Sequence, residues 1–100
     1  MSKVVFAIQY EVDGNKREEY LTLARELKML LKVDGLESYG IFEIKGKQNH
    51  FEEIYTFNSN EAYENFDDNQ NERIGLLLNK LSEMVKENST KYTTLNEVIE

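Results

Sequence analysis

The apolar residues of this chain repeat with two different periods, and the order of those periods constrains the fold more than any other feature of the sequence. Residues 4–12 alternate with period two, which is typical of a strand with one apolar face. Residues 15–34 carry apolar side chains three and four positions apart, which predicts an amphipathic helix. The apolar positions of this helix are Tyr20, Leu23, Ala24, Leu27, Leu30 and Leu31. A strand followed by such a helix predicts a domain in which the helix covers one face of a sheet.

The rest of the chain extends this pattern to a complete element order. The predicted strands lie at residues 4–12, 36–45, 50–57 and 91–99, and the predicted helices at residues 15–34, 59–67 and 71–87. The two middle strands are separated by a short turn around Gly46, so we expect them to pair as an antiparallel hairpin. The order is β-α-β-β-α-β, with the second helical stretch broken in two. We therefore expect a single ferredoxin-like α+β domain over residues 1–100, with helices on one face of a four-stranded antiparallel sheet.

Three local signals predict where the helices begin and end. Asn15 is followed three residues later by Glu18, which predicts a capping box at the start of the first helix. Gly35 suits the left-handed residue that ends this helix. Ser59 or Asn58 is expected to cap the second helix.

The charge balance argues against polyanionic partners, namely nucleic acids and anionic membranes. Nineteen acidic residues against twelve basic ones give a net charge of −7, and the basic residues are dispersed along the chain. Proteins that bind nucleic acid gather basic side chains on one surface, because neutralising phosphates supplies most of their affinity. We therefore expect neither a nucleic-acid partner nor a membrane partner.

The residue types that are missing limit the chemistry further. The chain has no cysteine and a single histidine, His50, so we expect no disulfide, no metal site and no cofactor. We interpret His50 as an exposed turn residue and the acidic run at residues 67–72 as a solvated helix break. The first ten residues lack a signal-peptide pattern, and no run approaches the roughly 20 apolar residues of a membrane span. We therefore expect a cytoplasmic protein.

The two middle strands carry large apolar side chains on both faces, whereas helices can cover only one face of the sheet. The uncovered face would be a larger apolar patch than soluble monomers usually expose. A two-fold partner that presents the same face would cover it, so we predict a homodimer built through the open sheet face. The alternative is a monomer with a half-polar open face. Five polar residues would allow that alternative: Gln9, Glu11, Glu37, Glu43 and Glu53.

Residues 55–66, with the sequence YTFNSNEAYENF, resemble one segment of the dimeric α+β barrel superfamily. That superfamily includes the antibiotic-biosynthesis-type monooxygenases, the stress-responsive barrel proteins and the haem-degrading monooxygenases. In the monooxygenases an acid, a tryptophan, a capping residue and a histidine recur here, and Ser59 matches the cap. The positions of the acid, the tryptophan and the histidine are held by Tyr55, Phe57 and Phe66. The resemblance implies a dimeric α+β barrel whose family site residues are not kept.

The first strand suggests where a ligand would bind. Its second face carries the small residues Val5 and Ala7 and then the polar residues Gln9 and Glu11, which predicts a cavity above the open face of the sheet. Aromatic walls would come from Tyr39 or Phe42 and from Tyr55 or Ile54, depending on register, with Asn96 on the last strand. The candidate ligand-binding residues are Ala7, Gln9, Glu11, Tyr39, Tyr55 and Asn96. The alternative is that the tyrosines are core and interface residues with a polar tip.

Three functions are compatible with this sequence. The first is a homodimeric α+β barrel protein that binds a small apolar or aromatic molecule. The second is an enzyme that works without a cofactor, of the monooxygenase or isomerase kind. The third is a structural or regulatory dimer whose interior is filled by its own side chains. One scaffold hosts many chemistries, so the resemblance does not choose among them.

Overall fold

The structure, a computed structural model, describes residues 2–66 and 71–100. The strands are β1 (Val4–Glu11), β2 (Leu36–Glu43), β3 (His50–Phe57) and β4 (Lys91–Asn96), and the helices are α1 (Arg17–Leu30), α2 (Asn60–Asn65) and α3 (Glu72–Met84). All strand pairs are antiparallel, and the order across the sheet is β2-β3-β1-β4. The predicted β-α-β-β-α-β order is confirmed, although several elements are shorter than expected. No helix in the described parts of the chain has the length and apolarity needed to cross a membrane.

The helices pack on the sheet face predicted from the alternation in β1. Tyr20 of α1 contacts the rings of Tyr10 and Phe51, and Tyr63 of α2 contacts the rings of Phe6 and Phe57. The buried residues of the helices that complete this core are Tyr20, Leu23, Ala24, Leu27, Ile74, Leu77, Leu81 and Met84. Because the side-chain period of a strand is two, every second residue of β1 and β3 joins the same core.

The helix starts agree with the sequence prediction at α2 and disagree with it at α1. Ser59 caps α2 by accepting a hydrogen bond from the backbone N–H of Ala62 at 3.1 Å. The predicted capping box of Asn15 and Glu18 is wrong. The Asp13 carboxylate accepts the backbone N–H of Asn15 at 3.0 Å and starts a short 3₁₀ turn, so Asn15 lies inside that turn and α1 begins after it. A carboxylate two residues upstream has taken the capping position.

Gly35 has the positive φ of 86° that the sequence predicted, but it lies in the turn before β2 and not directly at the end of α1. A side chain here would bring its Cβ within 2.5 Å of the Cβ of Ala62. The Gly35 carbonyl also accepts the N–H of Asn58 at 2.9 Å. The glycine therefore allows the α1–β2 turn to lie directly against the start of α2.

The opposite face of the sheet, called the open face below, carries no helix in the described parts of the chain. Register assigns to it Val5, Ala7, Gln9 and Glu11 of β1, Gly40 and Phe42 of β2, Glu52, Ile54 and Thr56 of β3, and Lys91, Thr93 and Leu95 of β4. Phe42 is 57% exposed and Leu95 is 54% exposed. By register these two residues lie on opposite edge strands, and the apolar side chains of the open face run diagonally from Leu95 through Val5, Ala7 and Ile54 to Phe42.

An ion pair fastens the start of α1 to the end of β2. The Arg17 guanidinium donates to both carboxylate oxygens of Glu43, at 2.6 and 3.1 Å, and the backbone N–H of Asn49 donates to the same carboxylate at 2.8 Å. The Arg17 hydrogen bonds and the Asn49 amide lower the pKa of Glu43 to about 2. A carboxylate with two such donors is stabilised in its charged form.

We predict that this contact stabilises the protein only where Glu43 is ionised in the folded state. Since the folded pKa lies below the ordinary value, the contribution is present above the ordinary carboxyl pKa and is lost as the pH falls toward 2. Urea unfolding should show Glu43→Gln less stable than wild type at pH 7, with the difference closing at pH 2. Glu87→Gln, which removes an exposed charge elsewhere, is the control. A Glu43→Gln effect that is independent of pH would contradict this assignment.

Candidate functional site

Glu53 lies inside the protein, between the sheet and the helices. Its exposure is 2%, and among the described residues it is the one charged side chain that is buried. Register pairs it with Ile8, so it shares the helix-facing side with Phe51 and Tyr55. The prediction that Glu53 makes the open face polar is wrong, since Glu53 lies on the helix-facing side. Its position two residues from Phe51 and from Tyr55 sends it to the apolar face.

Three tyrosine hydroxyls from three different strands converge on the Glu53 carboxylate. Tyr10 of β1 donates to Oε2 at 2.7 Å, while Tyr39 of β2 and Tyr55 of β3 donate to Oε1 at 2.7 and 3.3 Å. The hydroxyl of Tyr20 on α1 lies 2.7 Å from that of Tyr10 and extends the network into the helix layer. Hydrogen bonds of this kind offset the cost of removing a carboxylate from water.

Three tyrosines of this cluster, Tyr10, Tyr20 and Tyr39, hold their hydroxyl protons more tightly than a free tyrosine does. Burial, followed by the charge of Glu53, raises the pKa of Tyr10 and of Tyr39 far above the usual range. Burial also raises the pKa of Tyr20, although its hydrogen bond to Tyr10 opposes part of the rise. A second negative charge beside Glu53 would be strongly unfavourable, so these hydroxyls keep their protons.

A cavity of about 230 Å³ adjoins this cluster, between the sheet and α3. Its lining residues are Ile8, Tyr10, Glu53, Tyr55, Leu78, Leu81, Ser82, Val85, Thr90 and Tyr92. Tyr92 is 67% exposed and stacks on Phe6, while Ser82 and Thr90 are also exposed. The cavity therefore reaches solvent between α3 and the start of β4. It combines apolar walls, tyrosine rings and one buried carboxylate.

The six predicted ligand-binding residues do not come together in one place. Tyr39 and Tyr55 lie on the helix-facing side and hydrogen-bond to Glu53, and only Tyr55 lines the cavity. Asn96 pairs with Val4 at the far end of β4 and is exposed.

The other three predicted residues lie on the open face, where register places Phe42 and Ile54 beside them rather than the two tyrosines. Ala7 is buried, and Gln9 is half-buried. Glu11 is engaged by Lys86 at 3.0 Å and lies 3.6 Å from the ring of His50. A ligand site above Ala7 and Gln9 stays a prediction.

Glu53 was missed as a site residue, and the sequence held a signal that could have found it. Glu53 lies on the same face of β3 as Phe51, Tyr55 and Phe57, so it is an acid in an otherwise aromatic row. In the resembling monooxygenases an acid occupies the position of Tyr55. This chain has its acid two residues earlier, on the same face of the same strand. Residues 67–70 of the acidic run lie outside the described residues, while Asn71 caps α3 and Glu72 is its first residue.

Comparison with known proteins places the fold. No family model matches the chain, and no curated protein matches it. A conserved protein from Methanosarcina mazei Go1 superposes with a TM-score of 0.81 and 15% identity, covering 98% of this chain and 95% of that one. The crystal structure of an antibiotic biosynthesis monooxygenase superposes with a TM-score of 0.70 and 19% sequence identity. The match covers 99% of this chain and 98% of that one. This chain has the antibiotic biosynthesis monooxygenase fold.

A further solved structure extends that comparison to a protein of unknown function. The conserved protein from Bacteroides thetaiotaomicron gives a TM-score of 0.76 and 19% identity, covering 95% of this chain and 97% of that one. At such identities the similarity is one of fold. The predicted resemblance is confirmed at the level of the fold.

We predict that the tyrosine donors stabilise the protein through Glu53. Tyr39→Phe leaves a buried carboxylate with one donor fewer, so the free energy of unfolding should fall by about 1–3 kcal/mol in urea titrations. Tyr92→Phe, which removes an exposed hydroxyl, is the matched control and should change stability by less than about 0.5 kcal/mol. Equal effects of the two substitutions would count against a stabilising role for the cluster.

Proposed function

We propose that this chain forms a homodimer that binds a small, mainly apolar aromatic molecule in the cavity between its sheet and α3. The observation that supports this most directly is the cavity itself, which adjoins the buried Glu53 carboxylate. The cavity opens to solvent beside the exposed Tyr92, so a ligand can reach it without unfolding of the core. The unfilled volume beside an organised polar cluster favours ligand binding over a structural role.

The size and lining of the cavity limit the ligand. Its 230 Å³ is below the roughly 300–1,000 Å³ that drug-sized ligands occupy, which favours a molecule of one or two rings. Leu78, Leu81 and Val85 provide an apolar wall, and the rings of Tyr55 and Tyr92 provide aromatic surface. A flat, mainly hydrocarbon molecule suits these walls.

Glu53 adds a preference for the ligand's polar group. An ionised carboxylate only accepts hydrogen bonds, so a ligand hydroxyl would find an acceptor in it. A ligand carboxylate would meet charge repulsion in a buried site, where such repulsion is weakly screened. We therefore propose a neutral ligand and not an anionic one.

The proposed dimer uses the open face. Phe42 on β2 and Leu95 on β4 are largely exposed there, and Val5 and Ile54 are half-buried on the two strands between them. A second copy related by a two-fold axis would present the same side chains and remove them from water. This arrangement leaves the cavity, which lies on the other side of the sheet, accessible in each subunit.

We predict that filling the cavity prevents ligand binding. Wild-type protein should bind 1-naphthol in isothermal titration calorimetry, and Leu78→Trp should remove the binding because the indole occupies the ligand's volume. Leu76→Trp, at an exposed position of the same helix that does not line the cavity, should bind like wild type. Overpacking costs about 1–3 kcal/mol, so circular dichroism must show that Leu78→Trp is folded. No binding by wild type, or equal binding by both variants, would contradict the proposal.

We also predict that the dimer depends on the centre of the open face. Sedimentation at micromolar concentration should give wild type twice the mass of the 11.8 kDa chain. Ile54→Asp should give the single-chain mass, since it would bury a charge in the interface. Leu76→Asp, on the exposed side of α3, should remain dimeric. A wild type that sediments as a single chain rules out the dimer.

A further inference from the structure

We infer that Glu53 is a proton acceptor for a reaction in the α3 cavity: removal of a proton from the carbon beside the carbonyl of a small cyclic ketone. This inference rests on the proposed function, because the same cavity must hold the ketone. The reaction interconverts the keto and enol forms and belongs to the tautomerase class. It requires a base at the substrate and hydrogen-bond donors at the oxygen that becomes negative.

The base is positioned where a substrate would lie. Glu53 lines the cavity, and its two carboxylate oxygens are fixed in direction by Tyr10 on one side and by Tyr39 and Tyr55 on the other. Because the donors come from three strands of one sheet, the carboxylate cannot rotate without breaking strong hydrogen bonds. A base held in this way is already oriented before the substrate binds.

The donors for the developing negative charge border the same cavity. The hydroxyls of Tyr10 and Tyr55 hydrogen-bond to Glu53 and both residues line the cavity wall. When Glu53 takes a proton its negative charge disappears and a charge appears on the ligand oxygen. The hydroxyls are then released from a carboxylate and can donate to that oxygen, which keeps the charge within one set of donors. Tyr39, which does not line the cavity, acts as a positioning residue.

The step balances without a further reactant. The C–H bond beside the carbonyl breaks, and its proton forms an O–H bond with Glu53. The electron pair of the C–H bond becomes the carbon–carbon π bond, and the carbonyl π pair moves to the oxygen. Return of the proton from Glu53 to the same carbon restores the ketone. Its return to a different carbon of a conjugated ketone would move the double bond.

The experiment uses 2-tetralone, a two-ring neutral ketone, with full-length protein in D₂O. Proton NMR follows the loss of the signal from the protons beside the carbonyl as they exchange for deuterium. Wild type should accelerate exchange above the buffer rate, and Glu53→Gln should lower the protein-dependent rate about 10²-fold or more, since positioned bases contribute about 10²–10⁴. Glu83→Gln, an exposed glutamate of α3 outside the cavity lining, should exchange like wild type.

Tyr55→Phe separates the base from its donors. It keeps the carboxylate but removes one hydroxyl from the cavity, so it should slow exchange about tenfold or more while 1-naphthol still binds. If Glu53→Gln does not fold, Glu53→Asp takes its place. The shorter side chain of aspartate holds the carboxylate further from the ligand, so the exchange rate of this variant should fall below that of wild type.

Two results overturn the inference: wild-type exchange no faster than buffer, or Glu53 variants that exchange like wild type. The failures of the two proposals are distinguishable. Binding of 1-naphthol without exchange of 2-tetralone leaves the ligand-binding function standing and removes the proton-transfer role. Absence of both binding and exchange removes the two together.

Discussion

The hydrogen bonds between the Glu53 carboxylate and its tyrosines join parts of the chain that are far apart in sequence. Tyr10 belongs to β1, Tyr39 to β2 and Tyr55 to β3, and Tyr20 brings α1 into the network. A buried carboxylate that loses its donors costs several kcal/mol, so the register of three strands and the position of α1 are coupled through one side chain. A slip of one residue in β3 would turn Glu53 to the opposite face and separate it from every one of these donors.

The same cluster shapes the cavity. The tyrosine rings and Glu53 form its floor, and the leucines of α3 form its roof. Glu53, Tyr10 and Tyr55 are buried at the inner end of the cavity, and electrostatic interactions are strengthened where water is excluded. The polar centre and the surrounding apolar residues are therefore parts of one arrangement, and the proposed binding and proton transfer depend on the same residues.

The fold is shared with solved structures that are at most 19% identical to this chain among those compared. The scaffold features are kept, including the Ser59 cap and the path from β3 into α2, because they depend on backbone geometry. The acid of this chain stands two residues from the position it occupies in the resembling monooxygenases. Function therefore has to be argued from Glu53 and its neighbours and not from the fold alone.

The sequence by itself determined the element order, because hydrophobic period and the Ser59 cap are local properties. It also determined that the apolar face of β1 meets the helices. Tertiary structure alone decided that Asp13 and not Asn15 starts the first helical turn, that the row of β3 with Glu53 and Tyr55 faces the helices, and that Tyr39 of β2 lies on the same side. Which residues of neighbouring strands point to the same side of the sheet depends on the register between strands that are distant in the chain. Alternation within one strand cannot assign that register when both faces carry large side chains.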